Sequence, residues 1–298
     1  MQHIISTSMA SFCRGRSPEE AMRLVRDAGF TGLDFPLSVY SDTPDAPLQQ
    51  DSWREWAVEA AKAAERCGLR VVQAHAPWHQ RIDASLHYEA PWEIFGRVME
   101  ACHILGCRHL IFHPQRQPLR VDSLALRQRI HAYNIRWFRE LLPLAEQLDI
   151  VINLENTFDS HHVQGPSDPP YPYTRAEDLL ALQRDIGSDR VMLCLDTGHA
   201  SIEAQDVPAM IRAFGRNLAT VHLNDNYGRI GPIYEDLHLY PGSGLLDWDA
   251  IFAALREIGF AGAYNMEPIA QLKRQPDALR LISLRAAADI LRILAGNM

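Results

Sequence analysis

Eight short apolar runs alternate with longer amphipathic segments along the whole chain, and no other feature restricts the fold as much. The runs are HIISTSM (3–9), GLDFP (32–36), RVVQAH (70–75), HLIFH (109–113), IVINLE (150–155), VMLCLD (191–196), ATVHLN (219–224) and AYNME (263–267). Apolar runs of this length, set between segments of helical periodicity, read as buried strands of a parallel sheet. The first helical segment opens with Ser17-Pro18-Glu19-Glu20, a capping box with proline at the first helical position. Gly29, Gly68, Gly106, Gly187 and Gly259 each stand just before the next apolar run, where a left-handed residue closes a helix. Eight strand–helix units with right-handed crossovers in 298 residues predict one α/β domain over 1–298, a (β/α)8 TIM barrel. A doubly wound open sheet needs a reversal of strand order, and no G-x-G-x-x-G turn follows the first strand.

Composition narrows the class of partner. The formal charge is −8, and no block of Lys and Arg appears, which argues against nucleic-acid and membrane-surface partners. No apolar run approaches the roughly 18 residues of a membrane span, and the N-terminal stretch lacks the pattern of a signal peptide. Five cysteines, Cys13, Cys67, Cys102, Cys107 and Cys194, form no C-x-x-C pair. They read as reduced, buried thiols of a cytoplasmic protein.

The strands share a second property. Runs three to six end at His75, His113, Glu155 and Asp196; the seventh carries His222 and the eighth ends at Glu267. In a barrel these ends converge on the catalytic face. A single polar strand end commonly just meets water, but six in succession need a common cause. Converging carboxylates repel unless a cation neutralises them, and carboxylates with neutral imidazoles suit a divalent metal such as Mn, Co, Mg or Zn. The loop after the seventh run (224–248) adds Asp236 and His238 at D-x-H spacing, and alternation in an extended segment points both to one side. Its length and its Gly and Pro content suit a functional rim, although a solvated turn explains the pair equally well.

These pieces together resemble the xylose isomerase-like TIM-barrel superfamily, which holds sugar and sugar phosphate isomerases and epimerases as well as endonuclease IV. The matching stretches are AHAP (74–77), FHP (112–114), NLENT (153–157), LDTGHA (195–200), HLNDN (222–226), DLHLYPGSGLLDW (236–248) and MEP (266–268). The resemblance implies a metal site of Glu155, Asp196, His222 and Glu267, with Glu155 and Glu267 also as acid/base groups and His199 on the substrate. An arginine that binds substrate in the tagatose epimerases has Gly228 at its place here, and Arg229 or His238 are the available substitutes.

Two enzyme readings follow. In the first, the protein is a metal-dependent isomerase or epimerase of a sugar, sugar phosphate or related polyol ketone, working through a cis-enediolate. In the second it is an endonuclease IV-like phosphodiesterase. All nine ligand types of that family have a match: His75, His113, Glu155, Asp196, His199, His222, Asp236, His238 and Glu267. The surroundings favour the sugar reading, since the loop at 37–53 carries three aspartates and no Lys or Arg to grip phosphates. A dehydratase of the same superfamily and a non-catalytic metal- or sugar-binding barrel remain open, as does a homo-oligomer.

Trp78 and Phe158 are expected as apolar walls of the pocket. Trp53, Trp56, Trp92 and Trp137 read as helical packing residues. His3, His103, His109 and His131 read as structural or surface groups, and His79, His87, His161 and His162 as loop residues without a single role. Asp34, at the end of the second run, has an open role, and Gly198 is expected to give the DTGH turn its freedom.

Overall fold

The protein is described by a computed structural model covering residues 3–78, 92–115, 123–159, 171–228, 236–268, 272–273 and 275–296. All eight expected strands form: β1 Ile5–Ser8, β2 Gly32–Phe35, β3 Arg70–His75, β4 His109–Phe112, β5 Val151–Glu155, β6 Val191–Asp196, β7 Leu218–His222 and β8 Tyr264–Met266. They pair in parallel in sequence order, and β8 closes on β1. The helices are α1 Pro18–Asp27, α2 Trp53–Cys67, α3 Trp92–Ile104, α4 Leu124–Gln147, α5 Ala176–Ile186, α6 Thr197–Ile202, α7 Val207–Phe214, α8 Trp248–Glu257 and α9 Asp277–Leu294. This is the expected (β/α)8 barrel.

Local chemistry explains the helix ends. The Ser17 hydroxyl accepts from the Glu20 amide while the Glu20 carboxylate accepts from the Ser17 amide, so the capping box forms as read. The five glycines at the floor all have positive φ, from 65° at Gly68 to 94° at Gly29. All five cysteines are free and buried. Trp53 and Trp137 are buried, and Trp92 packs on Trp137 with tilted rings 4.7 Å apart while staying 41% exposed.

Closure has a consequence for the lumen. Inward-pointing strand positions meet residues far away in sequence, and here several are polar. The Ser6 hydroxyl donates to Asn265 Oδ1 at 2.9 Å, and Asn265 Nδ2 donates to Asp34 Oδ2 at 3.1 Å. Gln73 Nε2 donates to the same Asp34 oxygen at 3.0 Å. This polar layer lies directly beneath the strand-end residues.

Candidate metal centre

The six strand ends converge as expected. Glu155 ends β5, Asp196 ends β6, His222 ends β7 and Glu267 follows β8. Each offers one ligand atom, and the four atoms lie within 4.8 Å of one another. His222 turns Nδ1 to the centre of the group, 3.1 Å from Glu155 Oε1, 3.2 Å from Glu267 Oε2 and 3.8 Å from Asp196 Oδ2. Its Nε2 faces down, 2.8 Å from Gln73 Nε2 and 3.6 Å from Cys194 Sγ. All four residues are buried. Three buried carboxylates whose ion-pair partners among the described residues are all imidazoles are stable together when a cation sits among them. The donor set of three carboxylates and one imidazole nitrogen fits a divalent ion.

His75 and His113 flank this group. His75 Nε2 lies 3.5 Å from Glu267 Oε1 and 3.8 Å from Glu155 Oε2, and His113 Nε2 lies 2.9 Å from Glu155 Oε2. Asp34 receives His75 Nδ1–H at 3.0 Å and so aims Nε2 upward. Trp78 stacks on His113 with ring centroids 3.8 Å apart, and Phe158 packs on His199 at 4.7 Å.

On the other side, Asp196 is both a strand end and the N-cap of α6, its Oδ1 accepting from the His199 amide at 2.8 Å. His199 donates from Nδ1 to the Asn156 carbonyl at 2.9 Å, and its Nε2 meets Asp236 Oδ2 at 3.3 Å. His238 Nδ1 donates to the Glu267 carbonyl at 2.9 Å, and Nε2 to Asp236 Oδ2 at 2.5 Å. Asp236 and His238 thus reach the site, but not by strand alternation: His238 has φ 46°, and this left-handed kink turns its ring back beside Asp236.

The DTGH turn also differs from expectation. Gly198 has ordinary helical backbone, and its need is space. A Cβ there would stand 3.1 Å from Asp196 Oδ1 and 3.3 Å from Asn224 Cβ.

Burial and charge set opposing protonation tendencies. Burial raises the Glu155 carboxyl, but the imidazoles of His113 and His222 outweigh it and hold the group well below the carboxylate range. At Glu267 burial prevails and the carboxyl is raised. Burial lowers His199 and His238, yet Asp196 and Asp236 carry His199 up to about 9, and Asp236 carries His238 up to about 10. Burial lowers His113. Asp236 therefore lies between two imidazolium rings.

Sequence reading passed over the groups that orient these side chains. Asn224 Nδ2 donates to Asp196 Oδ2 at 2.7 Å, while its Oδ1 accepts from the Glu267 amide at 2.9 Å. Asn156 clamps the Asp196 backbone instead, its Oδ1 accepting from the Asp196 amide at 2.7 Å and its Nδ2 donating to the Asp196 carbonyl at 2.9 Å. Both stand in quoted motifs, NLENT and HLNDN, and adjacency to a ligand was the available signal. Asp34, left open, proves to be the partner of His75. Arg229 lies outside the described residues, as do His79, His87, His161 and His162.

The profile of the xylose isomerase-like TIM barrel matches residues 22–285. Among curated proteins, the chain is 32% identical over 168 residues to D-psicose 3-epimerase of Enterocloster bolteae, covering 56% of this chain and 48% of that one. It is 26% identical over 186 residues to inosose isomerase of Bacillus subtilis, covering 62% of each. The aligned stretch thus spans about half to three-fifths of these relatives. Among solved structures, the IOLI protein with a binding zinc atom superposes with a TM-score of 0.73 at 17% identity, over 98% of this chain and 99% of that one. At that identity the likeness establishes the fold.

Proposed function

Since the chain belongs to the xylose isomerase-like TIM-barrel family, we propose that it is a metal-dependent isomerase or epimerase of a small ketose or related polyol ketone. The observation that carries this reading is the cluster of Glu155, Asp196, His222 and Glu267, whose ligand atoms lie within 4.8 Å and include two glutamates able to move a proton. The sugar epimerase and inosose isomerase relatives point the same way.

Those four residues would hold the divalent ion, with Nδ1 the ligating nitrogen of His222. When bound, such an ion supplies Lewis acidity that makes the C–H beside a carbonyl easier to ionise. The remaining work belongs to the chain. Glu155 or Glu267 takes the proton from carbon, leaving a cis-enediolate. Its return to the other face of the same carbon gives an epimer, and delivery to the neighbouring carbon gives an isomer. Glu155 and Glu267 lie on either flank of the cluster, 3.1 and 3.2 Å from His222 Nδ1, and suit a base and an acid working in turn. His199 and His238 present N–H groups where oxygen charge grows. Both do so only as Asp236 yields to substrate, because that carboxylate lies at the Nε2 of each ring. Trp78 and Phe158 flank the pocket as flat apolar surfaces, and a free sugar is the preferred substrate over a phosphorylated one.

The test is metal analysis of the purified protein followed by a panel of ketoses and ketose phosphates in deuterated water. Metal-dependent deuterium incorporation next to the carbonyl is expected. Cleavage of abasic-site DNA without exchange on any sugar would replace this reading with the phosphodiesterase one, for which Asp196, His199 and His238 form a second ligand group.

A further inference from the structure

Three residues beyond His222 stands a buried carboxylate with no basic partner among the described residues. Asp225 is fully buried, and N–H groups surround it. Oδ2 accepts from the Gly242 amide at 2.9 Å, the Gly244 amide at 2.9 Å and Trp248 Nε1 at 2.8 Å. Oδ1 accepts from the amides of Asn226 at 2.8 Å and Leu246 at 3.3 Å. Its own backbone exchanges two hydrogen bonds with Leu239, at 2.8 and 2.9 Å. Five neutral donors can satisfy a carboxylate without a counter-ion, because each N–H dipole is fixed on the charge. The wrap is tight. A Cβ at Gly244 would stand 2.3 Å from Asp225 Oδ1 and 2.4 Å from the Asn226 carbonyl, so only glycine fits.

What this wrap holds is the segment carrying Asp236 and His238. Leu239, tied to the Asp225 backbone, directly follows His238, whose ring spans from the Glu267 carbonyl to Asp236. We propose that Asp225 is a positioning residue for the reaction: its carboxylate locks the 239–246 segment so that the Asp236–His238 pair stays over Glu267 and against His199. The effect on turnover rests on the isomerase or epimerase reading, whereas the effect on the Asp236–His238 pair does not.

The experiment uses the full chain and the D225N variant, which keeps the shape but faces an amide NH2 toward donors. The 2.5 Å contact from His238 Nε2 to Asp236 should give a far-downfield proton resonance, assigned by its loss in H238Q. In D225N this resonance should vanish or move upfield, while the circular dichroism spectrum and the binding of one Zn2+ per chain remain. On a ketose that the wild type turns over, kcat should fall about 100-fold with KM within about 3-fold, as expected when a site group is misplaced without loss of binding. W248F removes one donor of five and should keep the resonance and lose less than about 5-fold in kcat. If D225N does not fold, G244A strains the same wrap from the loop side and is read by the same resonance. A native resonance and native kcat in a folded D225N or G244A variant overturn the proposal. If the wild type exchanges no ketose, the functional reading fails and the resonance alone decides the role of Asp225.

Discussion

The two ends of this barrel manage charge in opposite ways. At the mouth, Glu155, Asp196 and Glu267 are buried, and among the described residues every ion-pair partner they have is an imidazole. At the floor the charges are exposed and paired with guanidinium: Asp149 meets Arg190 and, at 3.5 Å, Arg108. A guanidinium is charged at all working pH values and cannot ligate a metal, whereas an imidazole can lose its proton and do so. The mouth is therefore built to receive a cation, and the floor only to meet water. The same contrast separates the glycines. Gly68 at the floor has φ 65° and open space where a Cβ would stand, while Gly198 at the mouth has ordinary φ and crowded space there.

The sharpest way to break this comparison is at the acid/base pair. E267Q keeps the shape of the side chain but cannot take a proton, and should lower kcat by about 10²–10⁴-fold with substrate binding largely retained. Steady-state kinetics with direct binding measurements read this, and unchanged turnover removes Glu267 from the role. Next comes metal removal. Chelation should abolish exchange, and restoring the ion should bring back both exchange and a higher melting temperature, by about 2.7 kcal/mol of stability at 100 times the dissociation constant. A melting curve indifferent to metal would mean that the buried carboxylates are neutralised by the imidazoles alone.

The glycine pair sharpens the contrast at smaller cost. G198A should weaken metal affinity by crowding Asp196, whereas G68A should leave activity alone and cost about 1 kcal/mol through its left-handed backbone. Isothermal titration with metal and chemical denaturation distinguish the two, and an exchange of these effects would contradict the assignment. The smallest effect belongs to Asp149. Arg190 holds its carboxyl below the usual range, so its contribution exists above the unfolded pKa and disappears as pH falls through the lower folded one. D149N should differ from wild type only slightly at neutral pH, and not at all once the pH is below both values. A large loss of activity in this variant would show that the floor is coupled to the mouth.

Much of this was legible in one dimension. Strand ends such as Glu155 and Asp196 announce themselves because an apolar run stops at a charge, and period and punctuation are local properties of the chain. The capping box at Ser17 and the floor glycines follow from backbone chemistry within a few residues. The orienting groups were not legible in this way. Asp34 reaches Asn265 across 231 residues and His75 across 41, and Asn224 reaches Glu267 across 43. No periodicity encodes which of two neighbouring polar residues turns inward, or which imidazole nitrogen it meets.

The sequence by itself determined the alternation, the ends of the elements and the kinds of donor that converge, since each depends on residue type and spacing alone. Barrel closure decided the rest. It brought β8 beside β1 and set His222 Nδ1 among three carboxylates. The physical reason is that those contacts form only when the ring of strands fixes distances between residues that the chain keeps far apart.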